Sequence, residues 1–220
     1  MAELPASSPT IHQLRVVLRG VSPLVWRRLL VTSDTSLADL HDALQIAFDW
    51  SGEHLHRFRI HGKDYGIPSW GGMGCTEDAR RIPLSHFRLR CGERFFYEYD
   101  FTAKWKFDLR LERVLPGDPS RAIPLCVAGK RAAPPEDGCG ARAYLERLDR
   151  HRPPVGELLV IAEAVQRLLD ANGDRQVLGD GHELREAVER VEASQKFQPE
   201  RFARRPVNRQ LRAIHREVLS

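Results

Sequence analysis

Between Trp105 and Glu112 the chain reads W-K-F-D-L-R-L-E, an unbroken alternation of apolar and charged residues. Side chains two apart on a strand share a face, so Trp105, Phe107, Leu109 and Leu111 bury together while Lys106, Asp108, Arg110 and Glu112 meet water. Parallel strands covered on both faces do not alternate in this way. The segment therefore predicts an antiparallel strand with one wet face. Just upstream, Phe95, Tyr97, Tyr99 and Phe101 fall on one face of a second strand, and a hairpin around Thr102 to Lys104 joins the two.

The other segments follow from the same periodicities. Ile11 to Leu18 and V-W-R-R-L-L-V from Val25 are rich in β-branched and aliphatic residues, with Gly20 to Pro23 supplying a turn between them. Ser36 stands where a helix N-cap belongs, Asp39 completes a capping box, and Leu37, Leu40, Leu44, Ala47 and Phe48 keep helical spacing. A helix over 37–49, stopped by Gly52, is expected. Leu55 to Ile60 alternates as a strand with His56, Phe58 and Ile60 on one face, and the glycine-rich stretch from Gly62 to Pro83 is expected as a long loop.

Pro124 to Gly140 reads P-L-C-V-A-G-K-R-A-A-P-P-E-D-G-C-G, a mixture expected to build neither helix nor strand. Pro134 and Pro135 stiffen it, and with Gly129, Arg131, Gly138 and Gly140 they make it a candidate shaped loop of the kind that carries function. Beyond it the pattern is helical. Leu158, Ile161, Ala162, Val165, Leu168 and Leu169 form one apolar stripe, and Leu184, Val188 and Val191 another. Pro206 suits the first turn of a last helix with Val207, Leu211, Ile214 and Val218 on one side and Arg205, Arg209, Arg212 and Arg216 on the other. The expected fold is α+β: a leader over 1–10, a mixed core over 11–150 built on an antiparallel sheet, and a helical part over 151–220 packed on the core or extending from it.

The 220 residues suffice for a sizeable core, and the 42% apolar and 29% charged content is that of a soluble globule. No apolar run reaches the roughly 20 residues of a membrane helix. The N-terminus lacks signal-peptide features, and Cys75, Cys91, Cys126 and Cys139 include no C-x-x-C pair. A cytoplasmic protein with free thiols and no membrane partner is expected. Charge is uneven. From Lys196 to Arg216 seven bases face one glutamate, giving +6, and with the whole chain at +4 the remainder carries −2.

Several groups are candidates for chemistry. His54 and His56 stand at strand spacing and could hold a divalent metal, the third ligand coming from His61, Asp100, Cys126, Glu136 or Asp137. The favoured expectation is no metal and no cofactor, because histidines in sheets more often serve as hydrogen-bond partners. Cys126 and Cys139 flank the Pro/Gly loop near Lys130 and Arg131, but small buried cysteines are commonly structural. Asp170 to Asp174 fails as an EF-hand, since Arg175 and Gly181 stand where Gly and Glu are needed. The ladder of Phe95, Tyr97, Tyr99 and Phe101 could stack bases, although such ladders more often form core. The arginine face suits a phosphate backbone, with pairing to Glu186, Glu189 and Glu192 as the alternative.

Six strings carry a resemblance: V-W-R-R at 25–28, L-A-D-L-H-D-A-L-Q-I-A-F-D-W at 37–50, H-L-H-R-F at 54–58, Y-E-Y-D-F at 97–101, C-V-A-G-K-R-A-A-P-P-E-D at 126–137 and V-N-R-Q-L at 207–211. With them the chain resembles the Ri-plasmid open-reading-frame-three (plasmid ORF-3-like) family, whose members also carry the label of TnpR-type passenger proteins of insertion elements. The resemblance implies an α+β fold with an antiparallel sheet, and it carries over no reaction and no catalytic residue. The serine motif of the resolvases that share that label is absent. Two readings stand side by side. One is a non-catalytic protein gripping DNA or RNA, or a nucleoprotein, through Arg205, Arg209, Arg212 and Arg216. The other is an enzyme with a pocket between the H-x-H strand and the Pro/Gly loop, using His54, His56, Asp100, Glu136, Asp137 and Cys139. A protein-interaction module built on the helical tail is a third.

Overall fold

The computed structural model describes residues 9–66, 78–136, 140–150, 155–196 and 199–218, the side chains of Arg150, 193–196 and 215–218 excepted. Its frame is a seven-stranded antiparallel sheet built from β1 (Ile11–Leu18), β2 (Trp26–Thr32), β3 (His56–Ile60), β4 (Lys63–Tyr65), β5 (Arg94–Tyr99), β6 (Trp105–Leu115) and β7 (Leu125–Lys130), in the order β4-β3-β5-β6-β1-β2-β7. The α+β class is thus as expected. The alternation of β6 holds: Trp105, Phe107, Leu109 and Leu111 are all at most 1% exposed. They join Phe95, Tyr97, Tyr99, Phe58 and Leu14 on the face covered by α1 (Leu37–Phe48).

Helix α1 begins where the sequence indicates. The Ser36 hydroxyl accepts from the Asp39 amide at 3.0 Å, and the Asp39 carboxylate accepts from the Ser36 amide at 3.3 Å, completing the capping box. It ends at Asp49 rather than Gly52. Asp49 adopts a left-handed conformation (φ 57) and turns its amide back onto the carbonyls of Gln45 and Ile46.

The 62–83 stretch is not wholly loop. Lys63–Tyr65 pairs with β3 through a two-residue turn in which His61 and Gly62 both have positive φ, a geometry matched to strand twist. Short 3-10 turns follow at Ala79–Arg81 and Leu84–Phe87, and residues 67–77 lie outside the described residues. The turn after β5 runs from Asp100 to Lys104, and Phe101 leaves the aromatic ladder for it. Its ring meets the guanidinium of Arg57 instead.

The Pro/Gly segment also departs from expectation. Leu125–Lys130 is edge strand β7, paired with β2 from Trp26↔Lys130 to Leu30↔Leu125 with a bulge at Arg28/Leu29. Mixed composition hides an edge strand that buries only one residue fully, Cys126. Gly140 starts α2 (Gly140–Arg150), and Gly138 lies outside the described residues.

The chain divides differently from a split at residue 150. One unit comprises 1–144 with 200–220, and the other comprises 145–199. Helix α5 (Arg204–Val218) therefore belongs with the sheet, where Val207 and Leu211 bury toward α1 and β7. In the second unit α3 (Val155–Asp170) packs on α4 (His182–Lys196). The end of α3 turns through Asn172 and Gly173, both at positive φ, the helix end and turn expected of Asp170 to Asp174.

Candidate functional site

Helix α5 meets the sheet along the edge that β7 leaves open. An edge strand presents unpaired amides and carbonyls, and α5 satisfies two of them with one side chain. The Asn208 carboxamide accepts from the Cys126 amide at 2.8 Å and donates to the Cys126 carbonyl at 2.9 Å, as a neighbouring strand would. Arg204 donates to the Val127 carbonyl at 2.6 Å. No periodicity signals this contact. A carboxamide on the inward side of an otherwise amphipathic helix, within V-N-R-Q-L, is the trace that was available.

The start of α5 is fixed by a stack. The Arg27 side chain, 2% exposed, donates to the carbonyls of Ala47, Trp26 and Lys130 and lies between the rings of Phe48 (4.8 Å) and Phe202 (3.8 Å). Gly129 is required here because a Cβ on it would stand 2.5 Å from Phe202. Arg131, at φ 70, adds an ion pair to Glu200 at 2.9 Å.

With the helix held, its outer side carries Arg205, Arg209 and Arg212, all exposed. With Arg204 and the β7 residues Leu125, Cys126 and Val127 they line a groove of about 760 Å³. Among the described residues no carboxylate stands within ion-pair distance of these three arginines. Arg216 is on α5, but its side chain is outside the description. Glu186, a possible partner from the sequence, pairs with Arg190 at 3.1 Å on its own helix.

The second candidate constellation resolves into a buried network. His56 on β3 stacks on His41 of α1 with ring centroids 3.6 Å apart and planes 9° from parallel. Gln45 donates to the Tyr97 hydroxyl at 2.7 Å, and that hydroxyl lies 2.6 Å from His41 Nδ1. His41 also bonds to the backbone of Gly52. With Tyr97 donating to Nδ1, the His41 proton sits on Nε2 and points at Gly52. Burial depresses His41 to about 3, helped by neighbouring His56, and depresses His56 to about 4. Both imidazoles are neutral at pH 7, and His56 Nε2 is buried without a hydrogen-bond partner among the described residues. His41 and Gln45 were not singled out by sequence, because their helical spacing resembled that of core positions.

Other predicted residues are occupied elsewhere. His54 precedes β3, which begins at His56, and meets Tyr99 edge-on. His61 bonds Glu93 at 2.6 Å. The Asp100 carboxylate accepts from the amides of Thr102 and Ala103 and shapes the turn. Glu136 accepts from the Ser51 amide and hydroxyl at 2.6 and 2.9 Å and from the Tyr99 hydroxyl, which ties the Pro/Gly segment to the end of α1. Burial, with this carboxylate, holds Tyr99 up at about 12. Trp50 adds a bond to the Pro134 carbonyl, beside Pro135. Cys126 is buried, and burial raises its thiol above the usual value, which disfavours the thiolate a nucleophile needs. Asp137 and Cys139 lie outside the described residues. Among the described residues no group of three or more His, Cys, Asp or Glu is placed to hold a metal ion, and no helix is long and apolar enough to cross a membrane. The aromatic ladder is core, the reading favoured for it: Phe95, Tyr97 and Tyr99 are at most 1% exposed.

Comparison with known proteins agrees with this architecture. The chain is 32% identical over 151 residues to the uncharacterized protein y4hQ of Sinorhizobium fredii, covering 67% of this chain and 76% of the relative. It is similar to the crystal structure of MM3350, a protein of unknown function from Methanosarcina mazei, with a TM-score of 0.66, 28% identity, and coverage of 91% of this chain and 97% of that one. The model of the plasmid pRiA4b ORF-3-like proteins matches residues 10–159. The chain belongs to the plasmid pRiA4b ORF-3-like protein family.

Proposed function

We propose that this protein is a non-catalytic module that associates with nucleic acid or a nucleoprotein through the outer side of α5. The observation that carries the reading is the set Arg205, Arg209 and Arg212: three exposed guanidinium groups on a helix clamped to the sheet edge, with no carboxylate in reach among the described residues. Like charges gathered on one side cost stability unless an external anion neutralises them. A backbone of phosphates does so and releases counterions. A family named for a plasmid open reading frame is in keeping with this, and the reading takes the protein to be cytoplasmic and associated with a mobile element. The enzyme reading has less support, because both oxygens of Glu136 and Oδ1 of Asp100 are engaged in holding the fold.

The test is a mobility shift at low salt with DNA and RNA, comparing the wild type with Arg205→Glu/Arg209→Glu/Arg212→Glu. Binding by the wild type and its loss in the variant is expected. Equal binding by both, or none by the wild type, contradicts the reading.

A further inference from the structure

The face of the sheet turned away from α1 carries a second basic array. The registers place Arg94 of β5 opposite Arg110 of β6, Arg110 opposite Arg15 of β1, and Arg15 opposite Arg28 of β2. Four arginines thus stand side by side across four adjacent strands, a row of about 14 Å at the usual strand spacing. Like charges directly opposite one another destabilise a sheet. Among the described residues only Arg28 is relieved by an ion pair, to Glu112 at 2.6 Å. Arg15 keeps a buried Nε with no hydrogen-bond partner among the described residues. Glu112 also acts on Arg15, and Glu98 and Asp108 share this face, but among the described residues Arg94 and Arg110 have no carboxylate within ion-pair distance, and that end of the row is open to an anion from outside.

The row has aromatic company. Phe96, two residues from Arg94 on the same face, is 42% exposed despite its size, and the guanidinium groups of Arg15 and Arg28 both lie 5.4 Å from the Trp26 ring. The row also has a continuation. Arg28, Arg110 and Arg113, with Gln13 and the Arg28-paired Glu112 among them, line a hollow that extends to Val127 and Ala128 of β7, and Val127 lines the groove of α5 as well. A basic path therefore runs across the open sheet face, over the β7 edge, and along Arg204, Arg205, Arg209 and Arg212.

We infer that this path binds single-stranded nucleic acid, with phosphates on Arg94, Arg110 and Arg15 and a base stacked on Phe96. A duplex is the poorer occupant. Its major groove admits a helix or a two-stranded ribbon, not the broad face of a sheet, and its bases are already stacked and out of reach of an exposed ring. Flexible single strands follow a charged track and stack on aromatic or guanidinium planes. The inference deepens the reading of α5 and rests on it for the far end of the track.

The test measures fluorescence anisotropy of the full chain with labelled oligothymidylate and oligouridylate of about 20 nucleotides, longer than the row, and with a duplex of equal length. Single strands are expected to bind at least roughly tenfold more tightly than the duplex. Arg94→Glu/Arg110→Glu is expected to weaken binding and flatten the salt slope by about 1.4, two phosphates' worth. Phe96→Ala is expected to weaken it by about fivefold or more with the slope unchanged. All three sites are exposed, so the variants keep the wild-type melting temperature or exceed it.

Equal binding of duplex and single strand, sheet variants that bind as the wild type does, or equal competition by polyglutamate each overturn the track. Loss of binding only in the α5 variant removes the track and keeps the α5 reading. Loss only in the sheet variants does the reverse.

Discussion

Gly129 shows how one missing side chain fixes a helix in place. The close approach of Phe202 lets its ring cover the Arg27 guanidinium, and Arg27 in turn spans carbonyls from α1, β2 and β7. Gly129→Ala is therefore expected to destabilise by about 1–3 kcal/mol through overpacking. Phe202→Ala also destabilises, by removing the ring from Arg27. Because both act on the same contact, the double variant should cost less than the two single costs together. Urea unfolding of the four proteins measures this, and strict additivity would contradict it. None of it was legible in the sequence, where Gly129 is one glycine among several in a segment that reads as loop. A glycine demanded by a ring more than seventy positions away leaves no local signal.

Two couplings between elements are open to measurement. The first is the seam between α5 and β7. Removing the Asn208 carboxamide orphans the amide and carbonyl of Cys126. Asn208→Ala is expected to cost about 1–3 kcal/mol in urea unfolding and to promote concentration-dependent association through the uncovered edge. Asn208→Asp should recover only the half of the pair in which the side chain accepts. The second is the stack of His41 in α1 on His56 in β3. Both folded values lie below the ordinary 6.5, at about 3 and 4. Above pH 6.5 neither state is protonated and these groups contribute no pH dependence. Below it the unfolded chain takes up protons that the folded one refuses, so stability falls toward pH 4 by up to about 1.4 kcal/mol per pH unit for each histidine. Chemical unfolding at successive pH values reads this slope, and His56→Phe should flatten it.

The same scale shows what the sequence could tell. The wet and dry faces of β6, the capping box of α1 and the two-sided character of α5 were legible because each is a local periodicity or a local hydrogen bond. Strand β7 and the ties of Glu136 to Ser51 and Tyr99 depend on partners far along the chain, so they were not. The arginine row is of the same kind. Arg15, Arg28, Arg94 and Arg110 are unremarkable in sequence and become neighbours only through register.

At the scale of the molecule, the unit that holds the sheet carries basic groups on the open face and on α5, whereas the core face is given over to aromatic packing and neutral histidines. On the proposed reading recognition belongs to this surface, and the buried network supports the fold. Affinity that depends on phosphate neutralisation must fall with salt, and its slope counts the phosphates engaged. The most direct measurement is the dissociation constant of the wild-type protein for a single-stranded oligonucleotide across a range of salt concentrations. The prediction is a straight log-log dependence with a slope of about −2 to −5, three to seven phosphates at roughly 0.7 each, reduced by about 2 when Arg205, Arg209 and Arg212 are all changed to Glu. A slope near zero, or one that the three changes leave untouched, would contradict it.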